Sequence, residues 1–362
     1  MSNHPQILTE DVRRRYNAFW EHEGYGRAVM SVTYTTPELA ALDPEFTVGD
    51  DWTNLPRRLA WTKERMRLIG RVGDSVPSVF TNFGPGAFSA CIGGTFSCDP
   101  KTVWFENEPV ITDWEGGAAE RAVAFDPNAP MTRLIDDYIT MLLEAGQGKF
   151  YTSLPDIGGT YDIIAALRGT QELLMDMLFY PEEIKAFNRH LQPMIRDYFL
   201  SISRRLMEAQ GGFTSWMPIY SPVPYFPLQC DYSVMISPDM FGEFIRPDLE
   251  YQTSYMEHSV YHQDGVGQLA HTDHLLAIPR LSAIQWVPGA GKADPTDPMW
   301  FDHYRKIRAA GKSIVLFCFK PEGVERLLRS VSTKGLMVHI HCSCREEAEE
   351  LVRIADEIGI HD

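Results

Sequence analysis

Hydrophobic positions along this chain recur in short runs, separated by longer stretches of mixed character. Apolar and β-branched residues cluster at Ala28–Tyr34, Pro77–Phe83, Lys149–Pro155 and Phe213–Tyr220. They do so again at Ser259–Asp264, Ala283–Val287, Ser313–Phe319 and Leu336–His341. Short runs of this kind read as buried strands. Helical patterns lie between them. In Thr160–Leu178 the apolar residues Ile163, Ile164, Leu167, Leu174, Met175 and Leu178 follow a helical period and predict one helix. Ser237-Pro238-Asp239 reads as an N-cap with proline at the first helical position, opening a helix toward Tyr255. Pro321-Glu322 and Cys344-Arg345-Glu346-Glu347 open two more.

Eight such strand–helix units predict an α/β chain whose parallel sheet closes as a single (β/α)8 barrel. A doubly wound open sheet is the alternative. Residues 101–114 interrupt the alternation and read as a hairpin around Asn107, inserted between the second and third units. Residues 1–26 form a helical segment ahead of the barrel. No internal repeat or Pro/Gly/Ser linker divides residues 27–362, so they read as one domain.

Charge and cysteine use narrow the setting. Lys and Arg number 33 against 49 Asp and Glu, a formal charge of −16. That balance excludes a surface built for nucleic-acid phosphates and disfavours anionic membranes. Met1–Tyr16 is polar, carries Arg13, Arg14 and Arg15, and does not read as a secretory signal. The longest apolar stretch, near Ile314–Phe319, is too short to span a bilayer. The six cysteines are too sparse for a disulfide framework, and a reducing cytoplasm is the expected compartment.

In a barrel, chemistry collects where strands end. The third strand run ends at Asp156, and the fifth ends Tyr261-His262-Gln263-Asp264-Gly265. His262 and Asp264 are two apart and share a face. They suit a rim hydrogen bond, a general acid–base pair or divalent-metal ligation. The eighth run ends His339-Ile340-His341-Cys342-Ser343-Cys344, and parity at a strand end leaves open which of these faces the mouth. Cys342 fits either a buried apolar position or, with His341, a metal site. Gly289-Ala290-Gly291 fits an anion cradle or a tight turn. The segment Trp216-Met217-Pro218-Ile219-Tyr220 fits a pocket wall or core, and His271, Asp273 and His274 read as solvated or peripheral.

Several of these segments together resemble the uroporphyrinogen decarboxylase superfamily, which includes zinc-dependent, corrinoid-linked methyltransferases. They are Leu154-Pro155-Asp156-Ile157-Gly158-Gly159 with Ala165-Ala166-Leu167-Arg168-Gly169, Asp231 through Ser237-Pro238-Asp239, Tyr261–Gly265 and Gln285–Gly291. The likeness spans roughly residues 25–360. It implies a barrel with its active site at the C-terminal mouth. The decarboxylases hold their substrate's carboxylates with arginines after the first strand, where this chain reads Ser31-Val32-Thr33-Tyr34-Thr35-Thr36-Pro37. A small substrate that is not strongly anionic is therefore expected. The methyltransferases place a cysteine where Asp264 stands, so the resemblance implies a harder metal site here, and an oxygen or nitrogen methyl donor.

The leading expectation is methyl transfer between a small substrate and a corrinoid on a partner protein. Zinc or another divalent metal would be held by His262, Asp264 and Cys342 or His341. Asp156 and Asp231 would position substrate or carry a proton. Tyr34, Asn82, Tyr161, Trp216, Trp286 and Phe317 are the candidates for substrate contact. A decarboxylase or lyase using His262 and Asp264 as an acid–base pair is the second reading. A non-catalytic corrinoid or tetrapyrrole binder is the third. The resemblance also implies a homodimer.

Overall fold

The computed structural model describes residues 6–42, 52–98, 103–105 and 108–362. Its strands are β1 (Val29–Tyr34), β2 (Gly70–Gly73), β3 (Ser78–Val79), β4 (Ser97–Cys98), β5 (Val103–Trp104), β6 (Tyr151–Thr152), β7 (Pro227–Gln229), β8 (Val260–Asp264), β9 (Ala283–Val287), β10 (Ser313–Cys318) and β11 (Leu336–Cys342). Seven form one ladder in the order β2-β1-β11-β10-β9-β8-β7. All its neighbours pair in parallel except β1 and β2. β3 and β6 form a separate parallel pair, and β4 and β5 an antiparallel one. The fold is mixed α/β around a largely parallel sheet, as the alternating pattern predicts. Among the described residues, no helix is long and apolar enough to cross a membrane.

Parallel strands covered on both sides need apolar residues on both faces. β10 meets that demand with Ile314, Val315, Leu316 and Cys318, all buried, as β9 does with Ala283, Ile284 and Trp286. The two runs expected at Pro77–Phe83 and Lys149–Pro155 contract to the short β3 and β6. The run at Phe213–Tyr220 is not a strand. It folds back on itself, with Phe213 and Ser221 exchanging backbone hydrogen bonds of 2.9 and 3.0 Å. Pro218, Pro222 and Pro224 remove backbone donors from this stretch. The ladder position beside β8 goes to β7.

The helix expected across Thr160–Leu178 is two helices, Thr160–Arg168 and Thr170–Phe179. Gly169 between them adopts φ +104°, which a helix does not accommodate. Met175 and Leu178 are exposed, and the second helix turns Leu173 and Met177 to the core instead. The Ser237 cap forms as expected, its hydroxyl accepting from Met240 N at 3.2 Å, and helical structure continues to Ser254. Ser97–Cys98 pair antiparallel with Val103–Trp104, and the hairpin expected around Asn107 falls on residues outside those described.

A buried ionic clip joins the chain's two ends. Asp74 is fully buried and receives guanidinium hydrogen bonds from Arg15 and Arg27. It also accepts from Met30 N at 2.9 Å. Arg15 lies in the helix Glu10–Trp20, and Arg27 reaches Asp356 in the helix Arg345–Ile358 at 2.7 Å.

Candidate functional site

Partners in a parallel ladder share a face, so register alone assigns every side chain along the sheet. His262 pairs with Gln285 and Asp264 with Val287. Phe317 pairs with His339, His339 with Ser31, and His341 with Thr33. These residues therefore line one face, here called the inner face. Tyr34, Trp286 and Cys342 have the opposite parity.

On the inner face, three side chains converge. One ligand atom each from Asp231, His262 and Asp264 lies within 4.8 Å of the other two. His262 Nδ1–H donates to Gln285 Oε1 at 2.6 Å, because an amide oxygen can only accept. That bond fixes the tautomer and leaves the Nε2 lone pair directed away from β9. His262 Nε2 and Asp264 Oδ2 are 3.7 Å apart, too far for a hydrogen bond. Two ligands at ordinary zinc distances on one ion stand about 3–3.5 Å apart, close to that spacing. The Trp216 ring meets the imidazole edge-to-face at 5.0 Å. Burial works against the charged imidazole, but Asp264, Gln285 and Asp231 outweigh it, and the His262 pKa lies above its ordinary value.

Two further carboxylates stand behind this group. Asp156 accepts from Gly158 N at 2.9 Å and from Gln229 Nε2 at 3.2 Å. Burial pushes its pKa up to about 6. Asp162, in the first turn of Thr160–Arg168, accepts from the backbone N–H of Asp231 at 3.1 Å and of Tyr232 at 2.7 Å. Burial and the nearby Asp231 push it up to about 7. Asp231 keeps an exposed edge, yet the surrounding protein raises its carboxyl as well. Close backbone approach makes this arrangement possible. A Cβ on Gly159 would lie 2.2 Å from Gln229 O and 2.4 Å from Asp162 Oδ2.

The structure thus brings together Asp156, Asp231, His262, Asp264 and Trp216. His341 and Cys342 fall outside the group. Both His341 ring nitrogens are hydrogen-bonded to hydroxyls, Nδ1 to Thr33 and Nε2 to Thr35, each at 2.9 Å. Cys342 is buried on the opposite face, where burial pushes its thiol up to about 12. The other five aromatic and polar candidates are dispersed. Phe317 stays on the inner face, against His339 at 4.8 Å. Trp286 is buried on the other face between Trp300 and His303, and Tyr34 lies over Gly70. Tyr161 is core, edge-on to Phe244. Asn82 caps its own loop by accepting from Gly84 N at 2.9 Å and lines a separate cleft near His339. His271 is buried rather than solvated, stacked on Phe241 at 4.5 Å.

Sequence reasoning missed Asp162, Gln229 and Gln285. Gln285 had a usable signal, since its place on the ladder follows from pairing the fifth and sixth strand runs in parallel. Asp162 reads in sequence as an ordinary first-turn acid. Comparison of the chain with protein-family models and with curated proteins finds no match to either.

Proposed function

We propose that this chain is a metal-assisted enzyme on a (β/α)8 barrel of the uroporphyrinogen decarboxylase type. In this reading it moves a methyl group between a small substrate and a corrinoid carried by a separate protein. The observation that carries it is the convergence of Asp231, His262 and Asp264 on one face at the strand ends. Barrel closure is supported by the parallel pairing of β3 with β6, and by Leu154 N donating to Thr214 O at 3.1 Å.

The donor set fits a divalent ion. Two carboxylates and one imidazole are oxygen and nitrogen ligands, and Gln285 orients the imidazole from behind as such sites require. Bound there, the ion supplies Lewis-acid polarisation of the substrate heteroatom. The absence of cysteine from the group favours an oxygen- or nitrogen-linked methyl over thiol chemistry. Trp216 walls His262 from solvent on one side. Asp156, with its carboxyl near neutrality, holds the proton that the departing heteroatom takes up. Asp162 fixes the backbone of Asp231, and so the position of that ligand. Val234, Met235, Val266 and Phe319, all exposed after the ends of β7, β8 and β10, offer an apolar rim for a partner.

The test is spectroscopic. Zinc-loaded protein is incubated with reduced free cobalamin and a panel of O- and N-methyl compounds. Methylation of the cobalamin by at least one compound, lost in His262→Ala, is expected. No methylation by any compound overturns the reading. A second reading, a lyase or decarboxylase, is favoured by Asp156, raised to about 6 near His262, and by Asp162, raised to about 7 beside Asp231. It predicts turnover independent of metal and a pH–rate profile that loses one limb in Asp264→Asn.

A further inference from the structure

Three arginines meet in a cleft of about 550 Å³ at the β1–β11 end of the inner face. Arg58 and Arg65 come from the helix Leu55–Leu68, and Arg71 from β2. Thr33, His339 and His341 close the cleft on the sheet side. Pro218, two residues beyond the Trp216 that contacts His262, lines it too.

Among the described residues, the other two deeply buried arginines, Arg15 and Arg27, both pair with the carboxylate of Asp74. Arg13, Arg14, Arg67, Arg246, Arg345 and Arg353 each pair with a carboxylate three or four residues away. The cleft is different. None of Arg58, Arg65 and Arg71 forms an ion pair with a described residue, although the chain carries a net −16. Arg58 is only 4% exposed. It gives Nη1 to Trp52 O at 3.0 Å and Nη2 to Asn82 O at 2.6 Å, while its Nε has no hydrogen-bond partner among the described residues. Phe83 and Tyr138 flank the guanidinium at 4.5 and 4.6 Å. Arg71 satisfies itself on the Met66 and Ile69 carbonyls, and burial draws it down to about 10. The Arg65 guanidinium lies over the Trp61 ring, 5.2 Å from its centroid. Burial and Arg65 together lower the pKa of His341, so the positive field extends across the cleft.

A buried, unpaired cation costs several kcal/mol, and an anion supplied from outside removes that cost. The walls choose the anion. Trp61, Met66, Ile69, Val79 and Phe80 surround the guanidiniums with apolar surface. A strongly hydrated phosphate gains little there, whereas a carboxylate on an aromatic or aliphatic body buries that body and pairs with arginine. The geometry points to a binding site for an organic carboxylate, placed so that one end of the molecule sits among Arg58, Arg65 and Arg71 while the rest extends along the inner face toward His262. Only the second half of that statement rests on His262 being the reaction centre. The expectation of a weakly anionic substrate is revised accordingly: the missing arginines after the first strand are supplied by a helix and by β2.

Calorimetric titration of the full chain with benzoate, its neutral isostere benzamide, and inorganic phosphate tests the assignment. Saturable 1:1 binding of benzoate is expected, with no binding of benzamide. Arg65→Gln and Arg71→Gln are each expected to weaken benzoate binding at least tenfold, with the circular dichroism spectrum unchanged. Arg65 is exposed at the rim, so its variant keeps the fold and the test. His262→Ala is expected to bind benzoate as the wild type does, which separates this site from the metal centre. Equal binding of benzamide, binding of phosphate alone, no saturation by benzoate, or wild-type affinity in both arginine variants overturns the proposal.

Discussion

At the scale of single residues, His262 is set up by what holds its far side. The Gln285 amide oxygen keeps the proton on Nδ1 and presents Nε2 toward Asp264 and Asp231. Gln285→Leu removes the acceptor, and a 10–100-fold loss of divalent-ion affinity is expected, read by equilibrium dialysis. Asp248 makes a separate prediction about stability. It is buried, accepts from Gln192 at 3.0 Å and Gln252 at 2.6 Å, and burial raises its pKa to about 6. Because the folded-state pKa lies above the unfolded one, its protonated form favours the native state. Its contribution is therefore full below about pH 4 and is lost as pH rises through about 6. Asp248→Asn removes this slope. Urea unfolding at pH 5 and pH 8 is expected to show the variant gaining on the wild type between the two by on the order of 1–1.5 kcal/mol, because part of the loss has already occurred at pH 5.

Among elements, the Asp74 clip binds the first helix, β1 and the last helix into one unit. Asp74→Ala leaves Arg15 and Arg27 buried beside an empty position. A loss of about 3–5 kcal/mol is expected by urea denaturation. Asp356 also pairs with Arg27 but is exposed, and Asp356→Ala is expected to cost under about 1 kcal/mol. If the two variants are equally destabilised, the burial argument fails. Elements were legible in the sequence where one periodicity dominated. β8 to β11 emerge close to their expected bounds, and β10 does so as the buried apolar run that a parallel strand covered on both faces requires. Phe213–Tyr220 has equally apolar composition, yet prolines and a local reversal override it. The break at Gly169 was hidden because the apolar spacing continues across it, and only the positive φ ends the helix.

Across the whole molecule, the charge acquires a spatial meaning. A net −16 argues against polyanionic partners, but net charge does not locate its exceptions. The three arginines of the cleft lie in a helix and a short strand that sequence patterning ties to no site, and only folding brings them opposite β11. The His262–Asp264 pair was legible because strand parity alone puts both on one face. Asp231 was legible as a candidate but not as their immediate neighbour, and Cys342 stayed open between core and ligand because strand-end parity had no reference until β1 supplied the register. What remains central is whether Asp231, His262 and Asp264 form a metal centre. Calorimetric titration of apo-protein with zinc measures this most directly. The account predicts one ion per chain, with binding abolished in His262→Ala and weakened at least tenfold in Asp264→Asn. No stoichiometric binding by the wild type, or binding unchanged in both variants, would contradict it.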